Sequence, residues 1–219
     1  MRNADFGVDK PENPWKSIEL SDYENHMKLD SVMQLQTLSE MMNNQLNTYS
    51  VDSVMVLGVA GGNGLEHITP KKYSVVYGVD VNREYLREVE KRYKKLEGIL
   101  KCLCVDLINE SSELPAADLI IANLLIEYIG YDCFKAVVSH VKPKYVSCGI
   151  QINSGSEFVS DSPYLHAFDG LNSVHHQMDG DKLTQAMGDV GYESISTNEY
   201  VLPNGKSLVQ LDYTFYRMC

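Results

Sequence analysis

The sequence predicts an α/β fold: a doubly wound, mainly parallel sheet that ends in an antiparallel hairpin and carries a helical cover at its N-terminus. Three observations carry this. Short apolar runs alternate with helix-length amphipathic segments between residues 50 and 150, as in a parallel sheet covered on both faces. The first run stops at a glycine-rich turn, "GVAGGNG" at 58–64. Two β-rich segments near the C-terminus flank "PNGK", a strong hairpin signal. A sheet built only of right-handed crossovers would not end that way.

Taken in order, residues 1–48 read as an N-terminal extension and cover helix. Pro11, Pro14 and Trp15, the only tryptophan, mark an extended lead-in. "SDYE" has the capping-box form, with Ser21 at the cap and Glu24 three residues later. A helical stretch follows to about Asn47, with a break near Asp30 and Met27, Leu35, Leu38, Met42 and Leu46 facing inward. Residues 49–219 read as the α/β domain. "SVMVLG" is a buried strand, and the glycines lead into a short helix ending by Pro70. "YSVVYGVD" is a second strand. Asn82 caps the next helix, whose stripe is Leu86, Val89, Tyr93 and Leu96, with Gly98 just past its end. "ILKCLCVD" and "ADLIIAN" are the third and fourth strands, and "EYIGYDCFKAVVSHV" is a helix despite Gly130. "KYVSCGI" is the fifth strand. A loop-rich insertion at 151–180 breaks the rhythm. "DKLTQAMGDVGY" is a last helix, ending near Gly188 or Gly191, before the hairpin of Ser194–Leu202 and Ser207–Tyr216.

Composition narrows the functional classes. The 219 residues are 44% hydrophobic and 22% charged, as in a soluble globular protein. The longest apolar run, Leu119 to Ile126, is too short to cross a bilayer, and the N-terminus lacks an apolar signal core. A cytoplasmic location with reduced thiols is expected for the five cysteines. No second pair at ligand spacing accompanies Cys102 and Cys104, so no metal site is expected. The net charge of −11 disfavours nucleic acid. The one basic stretch, "REYLREVEKRYKK", is laced with Glu at helical spacing and reads as a solvated helix face. A small-molecule partner is expected, with no membrane and no nucleic acid; the oligomeric state is left open.

The glycine turn follows the first strand, where doubly wound folds bind ligands. Glycines there remove blocking side chains, and a following helix would add amide donors and positive charge. A dinucleotide fingerprint does not fit: Gly62-Asn63-Gly64 leaves His67 at the third glycine position, and a frame on Ala60 leaves Leu65 there. A phosphate-binding loop fails too, because no Lys-Ser or Lys-Thr follows.

The stretch resembles motif I of the class I S-adenosylmethionine-dependent methyltransferases, a Rossmann-like, seven-stranded family. Val56-Leu57 stand as the apolar pair, Gly58 falls where the family carries an acid, and Ala60, Gly62 and Gly64 take the glycine positions, with Asn63 between. Further strand ends match over residues 50–217. The resemblance implies that Asp80, followed by Val81, accepts the ribose hydroxyls. It implies that Asp106, followed by Leu107, meets the adenine, and that Asn123 and Leu124 face the methyl. It implies S-adenosyl-L-methionine as cofactor and methyl transfer to a small molecule. Glu127 would replace the missing acid. Tyr23, on the cover helix, would bond the methionine carboxylate, and His26 would reach the substrate. A general base would come from His26, His166, His175 or His176. No Asn/Asp-Pro-Pro-Tyr/Phe signature follows the fourth strand, which argues against amino methylation of adenine in DNA or of glutamine. Two alternatives stay open: a catalytically silent binding or regulatory protein of this fold, and an aminopropyl transferase.

Overall fold

The computed structural model describes residues 13–216 apart from Ser154 and Ser156. Pro11 lies outside these. Pro14–Lys16 form one 3-10 turn instead of an extended lead-in, with Asn13 Oδ1 accepting from Trp15 N at 3.1 Å.

The cover is two helices, α1 (Leu20–Met27) and α2 (Gln34–Thr48), with the break at 28–33. Ser21 is not the cap. The helix starts two residues earlier than that cap implies, Glu19 is the N-cap, and no side-chain hydrogen bond caps it. Glu24 has another partner: both its oxygens are held by Arg92, across the glycine turn. A reciprocal box fails because the carboxylate gains more from a guanidinium fork than from one backbone amide.

The α/β part then runs β1 (Ser53–Leu57), β2 (Val75–Asp80), α3 (Arg83–Arg92), β3 (Leu100–Cys104), α4 (Leu107–Glu110), β4 (Leu119–Asn123), α5 (Ile126–Val141), β5 (Tyr145–Ile152), α6 (Gly180–Asp189), β6 (Tyr192–Val201) and β7 (Ser207–Phe215). The sheet order is β3-β2-β1-β4-β5-β7-β6. The first five strands are parallel, and β7 lies antiparallel between β5 and β6. The chain order reverses between β1 and β4, which puts the switch point at their carboxyl ends.

Alternation sends neighbouring side chains to opposite faces. Met55, Leu57, Ile120 and Ala122 pack with Phe134, Val137 and Val138 of α5 and Leu183 of α6. Val54, Val56, Leu119 and Ile121 pack with Leu86 and Val89 of α3 and Met42 and Leu46 of α2. Buried Asp212 of β7 anchors the end of α2: it accepts from Tyr49 Oη at 2.9 Å, from Gln210 Nε2 and from Ser147 Oγ. A carboxylate with this many donors is accommodated inside the fold.

Two local expectations change. The segment after the glycines is a single 3-10 turn, Leu65–His67, so no helix macrodipole points into the turn. Helix α5 continues past Gly130 only with a kink, Gly130 adopting φ 74 and ψ 166. In the hairpin, Leu202 N donates to Lys206 O at 2.8 Å, and Gly205 takes φ 79 as an Asn-Gly turn requires. The insertion carries a 3-10 segment, Leu165–Ser173, whose Phe168 and Leu171 are buried against Ile18. Among the described residues no helix is long and apolar enough to cross a membrane.

Asn82 joins several of these parts. Its Oδ1 accepts from Glu84 N at 3.0 Å and Tyr85 N at 3.3 Å, and its Nδ2 donates to Trp15 O at 3.0 Å. Asn82→Ala removes the cap and leaves the Trp15 carbonyl without this donor. It should destabilise the protein by about 2 kcal/mol in urea denaturation.

Candidate functional site

The turn after β1 is shaped by a carboxylate from the next strand. Asp80, at the end of β2, is 9% exposed. Its Oδ2 accepts from Ala60 N at 2.9 Å and its Oδ1 from Asn82 N at 2.9 Å. Burial pushes its carboxyl up to about 6, against the pull of these amides. A carboxylate has about four acceptor positions, so two amides leave each oxygen able to take another donor. Ala60 is held at φ 45 and Leu124 at φ 52, in the left-handed region that non-glycine residues avoid. Both line the same hollow as Asp80, and strained backbone of this kind concentrates at functional sites.

That hollow lies over the carboxyl ends of β1, β2 and β4. It spans about 780 Å³, open solvent at its mouth included. Of the residues expected at a cofactor, Tyr23, Gly58, Ala60, Asp80, Val81, Asp106, Leu107, Asn123 and Leu124 line it. Asp106 caps α4 through Oδ1, which accepts from Ile108 N at 3.0 Å, while Oδ2 accepts from Asn109 Nδ2 at 2.7 Å.

Gly62, Asn63, Gly64 and Glu127 do not line this hollow. The bare backbone at two of these glycines is filled by the protein itself. A Cβ on Gly62 would sit 2.5 Å from Tyr93 Cε2, and one on Gly64 2.5 Å from Met42 Sδ. Asn63 Nδ2 donates to Leu35 O at 2.9 Å, fastening the turn to α2. Gly64 and Asn63 seat α2 of the cover, and Gly62 seats the end of α3. The Asn123 amide is likewise engaged: it exchanges two 2.9 Å hydrogen bonds with Gln45 of α2, so Asn123 presents its strand-end position to the hollow with its amide already paired.

A second chamber of about 510 Å³ adjoins the first and shares Trp15, Tyr23, Leu124 and Tyr128 with it. Trp15 meets Tyr128 edge-on at 4.9 Å and Tyr23 edge-on at 5.7 Å. Glu127 lies here, 3% exposed. Its Oε1 accepts from Gln151 N at 2.8 Å, and its Oε2 has no hydrogen-bond partner among the described residues. Burial pushes its carboxyl up to about 7.

The histidines divide. His26 and His175 line the second chamber, and burial lowers both from the ordinary histidine value, with the Lys206 cation adding to this. His26 Nδ1 lies 2.8 Å from Ser162 Oγ, and His175 stacks on Phe158 at 3.7 Å. His166 is exposed and faces Asp169, and His176 is exposed beside Gly130; neither lines a chamber. Sequence reasoning missed Trp15, Tyr128 and Phe158 as walls of a site. A lone tryptophan ahead of the cover helix was the available signal for the first.

No family model matches the chain, and no curated protein matches it. Solved structures do. The magnesium protoporphyrin IX methyltransferase of Synechocystis PCC 6803, with bound SAH, superposes with a TM-score of 0.63 at 12% identity, covering 92% of this chain and 96% of that one. Geranyl diphosphate methyltransferase in complex with GPP and sinefungin gives 0.63 at 9% identity, covering 82% and 77%. The cyclase SpnF gives 0.65 at 9% identity, covering 89% and 86%. The chain has the class I methyltransferase fold, including the antiparallel β7 between β5 and β6.

Asp80 and Glu127 titrate higher in the folded chain than in the unfolded one, so folding favours their neutral forms. That stability is complete below about pH 4 and is lost as pH rises through 6 and then 7. Glu127→Gln removes the Glu127 share. The variant should exceed wild type by on the order of 3 kcal/mol near pH 8 and converge on it near pH 4, measured by urea denaturation across pH.

Proposed function

We propose that this chain binds S-adenosyl-L-methionine in the larger hollow and transfers its methyl group to a small-molecule acceptor held in the adjoining chamber. The observation that carries this is the buried Asp80 carboxylate, fixed by Ala60 N and Asn82 N at the switch point of the sheet with acceptor positions to spare. In this reading Asp80 takes the ribose hydroxyls. Asp106, with Val81 and Leu107 beside it, meets the adenine. Gly58, Ala60, Tyr23 and Leu124 border the methionyl part. The fold neighbours described with SAH and with sinefungin support the assignment.

The sulfonium supplies the reactive methyl, and the chain supplies orientation and dryness. Tyr23, Trp15 and Tyr128 stand between the two hollows, and aromatic faces stabilise a cation without competing as nucleophiles. Alignment of the acceptor with the methyl is the main contribution the protein can make.

A second reading is that the hollow serves binding, or chemistry other than methyl transfer. Two observations favour it: Gly58 stands where the resemblance places an acid, and the fold is shared with a cyclase.

A ligand that binds only the folded state raises its stability, by about 2.7 kcal/mol at a hundred times its Kd. S-adenosylhomocysteine should therefore raise the melting temperature, and NAD should not. Asp80→Asn keeps an acceptor for one backbone amide and should fold, yet lose most of that increase. An increase unchanged in Asp80→Asn would remove the ribose assignment. Binding without turnover against a metabolite panel would favour the second reading.

A further inference from the structure

One buried polar atom of the second chamber has no hydrogen-bond partner among the described residues. Several of the chamber's other polar groups are used among themselves. Gln151 Nε2 donates to Phe158 O at 2.8 Å and to Asn153 Oδ1 at 2.6 Å, and its Oε1 accepts from Gln34. His26 is engaged with Ser162. Lys206 Nζ donates to Phe158 O at 2.7 Å and does not line the chamber. Glu127 Oε2 alone, among the buried side-chain oxygens and nitrogens of the described residues, has no partner. Leaving a buried acceptor unmade is costly, and a charged one more so. An atom left in that state inside a formed chamber awaits a donor from outside the chain.

We infer that the second chamber holds a small, flat hydroxyl compound of the phenol or enol class, whose O–H donates to Glu127 Oε2, and that Glu127 takes this proton during methyl transfer. The inference rests on the methyl-transfer reading above. Three features select the class. The walls are largely aromatic: Trp15, Tyr128, Phe158, Phe168 and the His175 ring, with Gln34 and Gln151 beside Glu127. Among the described residues no Lys or Arg lines the chamber, so a carboxylate or phosphate would face Glu127 without a counter-charge from them. The vacant acceptor is a single oxygen. A hydroxyl brings one donor hydrogen to it. A primary amine brings two, one more than a single hydrogen bond to Glu127 Oε2 uses.

The step balances. The hydroxyl oxygen forms a bond to the methyl carbon as the carbon–sulfur bond breaks, its electron pair passing to sulfur. The hydroxyl proton goes to Glu127 Oε2. One cation and one anion disappear together, which suits a site closed to water. Burial lifts Glu127 toward neutrality, which matches a base to this task.

Glu127→Gln tests this without needing turnover. The Gln carbonyl can keep the bond from Gln151 N, which places its NH₂ where the vacant oxygen was and turns an acceptor into a donor. Binding of phenol, benzoate and aniline is measured by calorimetry at about pH 8, with and without S-adenosylhomocysteine. Emission of Trp15, the only tryptophan, reports whether the chamber is occupied. Wild type should bind phenol in preference to aniline and to benzoate. The variant should lose roughly tenfold in phenol affinity and gain for benzoate. Wild-type preference for benzoate, or an unchanged phenol-to-benzoate ratio in the variant, would overturn the assignment of Glu127. Equal binding of aniline and phenol would overturn the hydroxyl class. Phenol binding with this inversion, but no stabilisation by S-adenosylhomocysteine, would uphold the chamber and count against methyl transfer. Stabilisation by S-adenosylhomocysteine without phenol binding would do the reverse.

Discussion

The Asp80 carboxylate ties the end of β2 to the turn after β1, and most of the site hangs from that tie. It holds Ala60 in a left-handed conformation and fixes Asn82. Asn82 then caps α3 and carries the Trp15 carbonyl. Tyr85, on the same helix, donates to Ile18 O at 2.8 Å. One buried acid thereby sets the shape of the turn, the start of a helix and the path of the segment that walls both chambers. A buried carboxylate is tolerated only with such donors, so positioning and solvation are served by the same bonds.

The cover is held by contacts that differ in kind. Met42 fills the space that Gly64 leaves. Gln45 closes a paired amide bridge on Asn123, and Arg92 grips Glu24 across Gly61. The first is buried and the second part-buried. The third is partly exposed, with side-chain exposures of 37% and 22% for Arg92 and Glu24, so solvent weakens it. The charged pair lies on α1, while α2 is anchored through Tyr49 and Asp212.

The two chambers use acids differently. Asp80 is buried but supplied with amide donors, and serves as a fixed acceptor. Glu127 is buried with one oxygen supplied and the other not. Environment separates their roles, as desolvation against hydrogen bonding decides how readily each ionises. The aromatic partition of Trp15, Tyr23 and Tyr128 keeps the two carboxyl groups in separate compartments.

Strand and helix order was legible because period and punctuation are local: alternation in 53–57, the Asn82 cap, the Asn-Gly turn and the antiparallel last strands all read directly from neighbours in the chain. So did the acids at the ends of strands, since a strand end at the switch point faces the hollow whatever surrounds it. The sequence could not say what the glycines make room for. Gly64 meets Met42 and Gly62 meets Tyr93, and neither contact is written in the spacing of the turn. Nor could it place Glu24, which a capping pattern assigned to Ser21 and the fold gave to Arg92. Asn123 and Glu127 both read as polar residues near one strand end, the first facing the methyl and the second standing in for the missing acid. Tertiary structure gave the first a full amide partner and left the second an empty acceptor, because hydrogen-bond satisfaction in a core is settled by residues distant in the chain.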